Sequence, residues 1–182
     1  MSDRLYSFVG GISGEWAVSR IDAVIGAPLP PVRRLAVHEG EPADTTDMAW
    51  VLRGVTGHDR YITRGEKSQL AALQQPPGRA DSTCAALIPI RKNAEWWALT
   101  QDERREIFEE TSHHVAVGLE YLPPIARRLH HSRDLGEPFD FLTWFEYAPR
   151  DAASFEDLVG RLRETPEWGY VEREVDIRLA RG

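Results

Sequence analysis

A histidine and an arginine with chemical potential stand thirteen positions apart in the second half of the chain. His114 belongs to a predicted helix that begins after Thr100, and Arg127 belongs to a predicted strand that follows Pro123 and Pro124. Because the two residues lie on different elements, their side chains can point into one space from two sides. A guanidinium is permanently charged and binds anions. The pair therefore indicates a pocket, and the remaining elements must hold that pocket open and dry.

The periodicity of the predicted helix decides which of two adjacent histidines faces this pocket. At about 100° per residue, His114 lies almost in line with the apolar Ile107, seven positions earlier. His113 falls instead on the side that carries the glutamates Glu106, Glu109 and Glu110. We therefore expect His114 to face the interior and His113 to face solvent. A core histidine bonded to a backbone carbonyl is an alternative that periodicity leaves open.

Strand periodicity indicates the surroundings of the arginine. Arg127 shares a strand face with Ile125 and Leu129, so its neighbours there are apolar. Because an unpaired buried guanidinium is costly, we expect an anion or a carboxylate beside it. The next predicted strand contributes an aromatic face with one hydroxyl, made of Phe139, Phe141, Thr143, Phe145 and Tyr147. Such a wall suits a small-anion or cofactor site, although an arginine that reaches the sheet edge is equally compatible.

Two further groups could contribute to a binding site. Lys92, Trp96 and Trp97 follow a buried apolar strand, and they could hold the carboxylates of a flat apolar ligand or anchor an interface. Glu167 could accept the Nδ1–H of a metal-bound histidine, although the pattern alone favours a solvated surface carboxylate. No GxGxxG, P-loop, HExxH, paired CxxC or GxSxG motif is present, and the lone Cys84 reads as a packing residue.

The order of predicted elements indicates the fold class. Residues 75–82 contain two prolines and a glycine, so they separate a first half, residues 1–80, from a second half, residues 83–182. The second half reads β-α-β-β-α-β, the split unit of the ferredoxin-like fold. Both helices of such a unit cover one sheet face, so we expect the β-rich first half to cover the other. The predicted fold is α+β, ferredoxin-like, and one compact unit overall.

The first half is predicted to begin with a hairpin. Residues 6–9 and 16–21 are short alternating runs separated by glycines that signal a turn. Further strands are expected over residues 34–38 and 48–55, and a helix over residues 63–74.

Composition limits the partners and the compartment. The formal net charge is −7 and the isoelectric point is about 5.4, which argues against nucleic acid and anionic membranes as partners. The first residues lack the pattern of a signal peptide, and no apolar run approaches the roughly 20 residues that cross a bilayer. A single cysteine is compatible with a reducing compartment. We therefore expect a soluble cytoplasmic protein.

Two segments of the second half carry a family resemblance: IPIRKNAEWWALTQDERREIFEETSHHVAVGLEYLPPIARRLHHSRDLGEPFDFLTWFEYAP and EWGYVEREVDIRLAR. Here the chain closely resembles the chlorite dismutases, in particular their short-subunit, dimeric lineage of haem b enzymes. The likeness covers residues 48–182 well and the preceding part more loosely. It implies a homodimer of α+β barrels, each with two ferredoxin-like halves, the first of them reduced, and haem b in the second. It also implies conversion of the small anion chlorite to chloride and dioxygen, with O–O bond formation.

The resemblance further assigns roles to residues of this chain. It implies that His114 is the proximal iron ligand and that Glu167 is its hydrogen-bond partner. On the other side of the haem, Arg127 resembles the distal arginine, and Gln74 resembles the residue that can restrain it. The other matching positions resemble groups around the haem propionates and proximal pocket, Lys92 and Trp96, and the distal wall, Thr143 and Phe145.

Other functions remain open at this point. One is a haem-maturation decarboxylase that acts on coproporphyrin haem; such relatives use a distal glutamine and a reactive tyrosine, so Arg127 argues against it. Another is a haem-binding or sensing module, or a cofactor-free dimeric barrel, without chlorite turnover. The histidines His113, His130 and His131 are weaker candidates for a non-haem metal site.

Overall fold

The computed structural model describes residues 4–57 and 60–181. Its strands are β1 Leu5–Gly11, β2 Trp16–Ile25, β3 Arg34–Glu39, β4 Met48–Val55, β5 Cys84–Lys92, β6 Ala126–His131, β7 Phe141–Tyr147 and β8 Val171–Ala180. Its α-helices are α1 Arg64–Leu73, α2 Ala94–Ala98, α3 Gln101–Arg105, α4 His114–Leu119 and α5 Ala152–Arg163. A π-helical turn spans Glu106–Thr111, and 3₁₀ turns span Arg133–Leu135, Pro149–Asp151 and Pro166–Tyr170.

The strands form one closed antiparallel barrel in the order β1-β3-β2-β8-β5-β7-β6-β4. Because successive strand residues face opposite sides, Leu87 of β5 points into the barrel whereas Ile88 points outward. The interior is filled from both halves of the chain by large apolar side chains such as Phe8, Trp16 and Trp144. The expected α+β barrel is therefore present.

A second apolar layer lies outside the barrel, between the strands of the second half and the helices. The apolar stripe of α5 is buried there at Phe155, Leu158, Val159 and Leu162. These residues contact the outward-facing side chains of β5 and β7, together with Val117 of α4. This layer separates the helices from the sheet and provides the walls of the site described below.

The second half has the predicted β-α-β-β-α-β order, and its strands are arranged β8-β5-β7-β6. The strands of the first half continue this sheet at both edges, where β2 pairs with β8 and β4 pairs with β6. The sheet therefore closes into a barrel, and its remaining face becomes the barrel interior. A closed barrel leaves no unpaired sheet edge to template association.

The predicted hairpin between the first two strands is wrong. β1 pairs with β3 and β4, whereas β2 pairs with β3 and β8. Gly14, one of the glycines between the two runs, has a φ of +141°. An ideal Cβ there would lie only 2.4 Å from the Leu35 backbone, so Gly14 marks a close crossing over β3 and not a hairpin turn. The glycine is required there because no side chain fits.

Pro89 occupies a position in the sheet that is unusual for a proline. It lies in β5, which is central in the barrel between β8 and β7. Pro89 pairs with Leu142 of β7, while the register with β8 passes from Leu87 to Ile90. The missing N–H is tolerated because the ladder to β8 has no pair at Pro89. Within the described ranges, no helix is long and apolar enough to cross a membrane.

Candidate functional site

A cavity of about 460 Å³ lies between the outer face of the second-half strands and the helices α1 and α4. Ligand pockets in proteins commonly enclose roughly 300–1,000 Å³. All the site residues named from the sequence line this cavity: Gln74, Lys92, Trp96, His114, Arg127, Thr143, Phe145 and Glu167. The fold thus gathers side chains from both halves into one space.

His114 reaches the cavity because the predicted continuous helix is broken. The Thr100 capping box is present, but α3 passes into the π-helical turn and the chain reverses its backbone hand at His113, where φ is +53°. α4 then starts at His114. His113 is exposed whereas His114 is partly buried and stacks on Phe108, with ring centroids 4.4 Å apart. The expected orientation of the two histidines is correct, although the 100° spacing does not produce it.

The break in the helix also changes the position of Glu109, which was expected on the solvent face. Its carboxylate is buried and accepts the backbone N–H groups of Val115 at 2.6 Å and Ala116 at 3.2 Å. A π-helical turn bonds residue i to i+5, so it shifts the phase of the helix and rotates Glu109 inward. Glu109 therefore satisfies the first N–H groups of α4, for which His113 provides no side-chain cap.

Glu167 joins the histidine to a lysine. It lies in the 3₁₀ turn Pro166–Tyr170, is 3% exposed, and its Oε2 lies 2.7 Å from His114 Nδ1. Lys92 Nζ donates to Oε1 at 2.9 Å, and the Glu167 backbone N–H donates to Ser112 Oγ at 2.9 Å. The interpretation of Glu167 as a solvated surface carboxylate is wrong, because two donors make its burial favourable.

Charge fixes the roles in this contact. Burial raises the pKa of Glu167, but the charges of His114 and Lys92 outweigh it and hold that pKa at about 2. The ionised carboxylate can only accept, so His114 Nδ1 carries the proton. When the imidazole is neutral, the other ring nitrogen, Nε2, is the one with a lone pair for a ligand.

Lys92 is the last residue of β5 and is 3% exposed, so it lies in the cavity wall. Its ammonium lies 4.3 Å from the Trp96 ring centroid. Burial lowers the pKa of Lys92, and the charge of Glu167 opposes that shift. Trp97 does not join Lys92 and Trp96, because its Nε1 donates a hydrogen bond to Asp140 at 3.1 Å.

Arg127 approaches the same cavity from β6, where it pairs with Phe145. Its guanidinium lies against Gly118 of α4, and an ideal Cβ at that glycine would be 2.9 Å from Nη1. Burial lowers the pKa of Arg127, whereas the charge of Glu109 raises it. In residues 4–57 and 60–181 no carboxylate forms an ion pair with this guanidinium, so the expected partner is not supplied by that part of the chain.

Gln74 contacts Arg127 through the backbone. It ends α1 as its C-cap residue, and its Nε2 donates to the Arg127 carbonyl. The amide therefore fixes the strand that carries the arginine and leaves the guanidinium unbonded.

The aromatic wall is shorter than expected. Phe141, Thr143 and Phe145 of β7 line the cavity. Phe139 precedes β7 and packs in the barrel interior, so its predicted membership of this face is wrong. The alternation of side-chain directions holds only within a strand, and Phe139 lies before the start of β7.

Comparison with known proteins identifies the family. A family model described as chlorite dismutase matches residues 34–181. The chain belongs to the chlorite dismutase family. The chlorite dismutase of Ideonella dechloratans is 32% identical over 127 residues, which are 69% of this chain and 42% of that relative. The chain thus spans less than half the length of this curated relative.

Solved chlorite dismutases have the same fold. The crystal structure of dimeric chlorite dismutases from Nitrobacter winogradskyi is 58% identical, with a TM-score of 0.90 over 97% of this chain and 99% of that chain. A chlorite dismutase from Candidatus Nitrospira defluvii is 21% identical, with a TM-score of 0.70 over 98% of this chain and 92% of that chain. The latter similarity concerns the fold alone.

In this chlorite dismutase family member, the buried donors at the cavity that have no hydrogen-bond partner among the described residues include Tyr61 Oη and Trp96 Nε1. Their rings meet edge to face with centroids 5.7 Å apart. Tyr61 has a φ of +63°, and its carbonyl accepts from Arg105. Buried donors are normally paired, so both suit an acceptor on a bound ligand.

Sequence reasoning missed Tyr61, Phe108 and Glu109 at this site. Tyr61 lies between β4 and α1, where no period applies. Phe108 and Glu109 lie in the π-helical turn, where the ordinary helical period fails.

Proposed function

We propose that this chain is a haem b enzyme that converts chlorite to chloride and dioxygen. The observation that carries the proposal is the pairing, across one cavity, of a histidine oriented by a buried carboxylate with an arginine that has no anionic partner in the described chain. Membership of the chlorite dismutase family supports it.

The residues of the cavity fit a haem. His114 Nε2 would bind the iron, since Nδ1 is engaged by Glu167. The unpaired donors of Tyr61 and Trp96 would bind the propionate carboxylates. Outward-facing side chains of β5 and β7, such as Ile88 and Phe145, would contact the apolar face of the porphyrin.

Glu167 and Lys92 would tune the iron ligand. An anionic acceptor on Nδ1–H increases the basicity of the imidazole, which favours the oxidised metal. The Lys92 ammonium donates a hydrogen bond to the Glu167 carboxylate, and its positive charge helps to keep that carboxylate ionised despite its burial. A haem bound there would supply oxygen-atom transfer chemistry.

Arg127 would hold the anion during the reaction. Chlorite contains the two oxygen atoms of the product, so conversion to chloride and dioxygen consumes no proton, water or external electron. A guanidinium neither gives nor takes a proton at ordinary pH, and it binds anions through several donors. Its partly buried position at the cavity strengthens this attraction because water screens it less than at the surface.

The assembly and the internal organisation are part of this proposal. A homodimer is supported by the description of the 58% identical Nitrobacter winogradskyi structure as dimeric. The antiparallel β8-β5-β7-β6 order supports a ferredoxin-like second half over residues 83–182, with residues 1–80 as a reduced first half.

Spectroscopy and oxygen measurement test the function. Protein expressed with adequate iron is expected to have a Soret band and to release dioxygen when chlorite is added. A Soret band without dioxygen would favour a carrier or sensor, and no Soret band would favour a cofactor-free barrel. Turnover of coproporphyrin haem in place of chlorite would favour the maturation enzyme. Loss of the histidine in His114→Ala should abolish or alter the Soret band.

The arginine role has a separate test. Arg127→Ala is expected to keep its haem but to lower the rate of dioxygen release at least about tenfold, because a charged hydrogen bond contributes about 1.5–3 kcal/mol. Arg150→Ala is the control, because that arginine is exposed and does not line the cavity. Undiminished turnover in Arg127→Ala would exclude the proposed anion-holding role.

A further inference from the structure

Tyr61 and Trp96 bring their unpaired donors to the cavity from two separate segments of the chain. Trp96 belongs to the five-residue helix α2, and Tyr61 lies in the loop between β4 and α1. Neither a helix of five residues nor a loop has enough backbone hydrogen bonds of its own to hold its place. Each donor therefore needs an outside group that fixes its backbone. Two consecutive residues of α3, Arg104 and Arg105, make these contacts.

Arg104 binds the carboxyl end of α2. Its Nε donates to the Trp96 carbonyl at 2.9 Å, and its Nη2 donates to the Trp97 carbonyl at 2.7 Å. The side chain is 8% exposed, and the guanidinium lies 4.9 Å from the Trp97 ring centroid. The last carbonyls of a helix have no intrahelical partner, so the guanidinium fork satisfies two of them and favours one orientation of α2. That orientation sets the direction of the Trp96 indole.

Arg105 binds the loop that carries Tyr61. Its Nη1 donates to the Tyr61 carbonyl, and the guanidinium donates to both oxygens of Glu66, at 2.7 and 2.6 Å. The hydrogen bond from Arg105 holds the pKa of Glu66 below its usual value, so this pair stays charged. Tyr61 has a φ of +63°, which a residue other than glycine adopts only where its surroundings impose it. The contact with Arg105 is one such constraint.

The two donors are carried by rings that contact each other. The Tyr61 and Trp96 rings meet at 89° with centroids 5.7 Å apart. Phe108 packs on the Tyr61 ring at 5.7 Å, and the Lys92 ammonium lies 4.3 Å from the Trp96 ring centroid. These contacts involve ring faces and edges, so Tyr61 Oη and Trp96 Nε1 stay available to a ligand. Adjacent positions on α3 thus fix the spacing of two donors that come from different halves of the chain.

We propose that Arg104 and Arg105 are positioning residues for a carboxylate-binding pair of donors, Arg104 for Trp96 Nε1 and Arg105 for Tyr61 Oη. This inference rests on the proposed function, which supplies the propionate carboxylates as the ligand groups. Neither arginine is among the described residues that line the cavity, so each acts through the residue it binds. A hydrogen bond weakens steeply as its distance and angle depart from the optimum, so a displaced backbone weakens the bond although the donor is still present.

Haem release to an acceptor protein, followed at the Soret band, measures this effect. Arg104→Met and Arg105→Met are each expected to accelerate release at least about fivefold, because a displaced donor loses a hydrogen bond to a charged group. Arg133→Met is the matched control for Arg104→Met. Arg133 lies 4.0 Å from the Trp97 ring centroid, but no hydrogen bond joins it to α2 in the part of the chain that the structure describes. Its substitution should change release by less than about twofold.

Crossed double variants distinguish positioning from general destabilisation. In a Trp96→Phe background, Arg104→Met should change release by less than about twofold, whereas Arg105→Met should keep its full effect. In a Tyr61→Phe background, the two arginine substitutions should exchange these behaviours. Haem dimethyl ester lacks both carboxylates, so wild type and both arginine variants should release it at nearly the same rate. Equal effects in the two backgrounds, or an equal acceleration of ester release, would overturn the proposal.

Crystal structures of haem-free protein separate this inference from the proposed function. The Trp96 indole should be displaced in Arg104→Met, and the Tyr61 ring should be displaced in Arg105→Met. If no protein binds haem, the proposed function fails, while these ring positions still decide the roles of the arginines. Rings that stay in place in both variants contradict those roles.

Lysine variants keep the proposal testable if a methionine variant does not fold. Arg104→Lys and Arg105→Lys keep the positive charge, but an ammonium lacks the planar fork that binds two acceptors at once. The same selective effects on release and on ring position are therefore expected from them. The absence of both effects would overturn the proposal.

Discussion

Glu167 is held from two sides by groups that are distant in the sequence. His114 and Lys92 lie 53 and 75 positions from it, yet both contact its carboxylate within 3 Å. Each of these groups would be costly to bury alone, because an unpaired charge in the interior loses its hydration. Together they form a compact contact in which the carboxylate stays ionised and the imidazole keeps one defined tautomer. The chemistry of the site therefore depends on all three side chains being buried at once.

His130 is a buried histidine outside this contact. Its ring packs edge to face on Tyr6 and Phe8, its Nδ1 lies 3.0 Å from the Leu142 carbonyl, and its Nε2 has no partner among the described residues. Burial lowers the pKa of His130 to about 3, although the bond to Leu142 opposes this shift. The folded protein thus keeps this imidazole neutral.

The His130 pKa predicts a pH dependence of stability. Below about pH 6.5 the unfolded chain takes up a proton that the native state refuses, so the free energy of unfolding falls as the pH falls from about 6.5 towards 3. This single group contributes a slope of up to about 1.4 kcal/mol per pH unit. In His130→Phe the slope should be smaller by up to that amount, as measured by urea unfolding between pH 4.5 and 7. Equal slopes in the two proteins would contradict the assigned pKa.

At the level of elements, α4 is a six-residue helix that exists because of its neighbours. Helices this short are unstable alone in water. Val115, Val117 and Gly118 are buried against the rest of the protein, and Glu109 satisfies the first N–H groups. The position of His114 is therefore set by a side chain in the preceding turn.

Removing this cap has a predictable cost. Glu109→Ala is expected to lower the free energy of unfolding by about 1–3 kcal/mol, because buried N–H groups lose a charged acceptor. Haem dissociation, followed by transfer to an acceptor protein, should be faster as well. Glu110→Ala is the matched control, since that carboxylate is exposed and pairs with Arg105 only at 3.3 Å. Its cost should be below about 0.5 kcal/mol. Equal effects of the two substitutions would exclude the capping role.

At the level of the whole molecule, the barrel closes at a weak seam. β4 and β6 share a single pair, Val55 with His131, whereas β5 is paired along most of its length on both sides. Glu137 reinforces the seam, because its Oε2 accepts the backbone N–H of Arg53 at 3.0 Å and its Oε1 lies 3.5 Å from the Arg53 guanidinium. A side chain thus replaces the ladder bond that a neighbouring strand would supply.

Hydrogen exchange can test this seam. Glu137→Ala should accelerate exchange of the Arg53 amide at least about tenfold, because its charged acceptor is lost, while the amides of β5 keep their protection. Nuclear magnetic resonance resolves the two classes of amide. Uniform acceleration across the barrel would indicate global destabilisation and not a local seam.

Local patterns were sufficient for much of the fold and part of the site. The strand over residues 48–55 has its predicted bounds, and a helix begins after Thr100 as expected, because each depends on residues close together in the chain. Strand alternation correctly put Arg127 on the cavity side. The prediction of the first hairpin was wrong because turn signals do not specify which strands pair. The prediction of an exposed Glu109 was wrong because a π-helical turn changes the helical period.

The sequence by itself determined the element order of the second half, the family, and a histidine and an arginine that converge on one space. These follow from periodicity and from residue types along short stretches of chain. Only the tertiary structure decided that Glu167 is buried and ionised, that Tyr61 and Trp96 present unpaired donors, and that Gly118 makes room for the arginine. Burial and pairing are properties of distant segments brought together by barrel closure, and no local pattern encodes which of them meet.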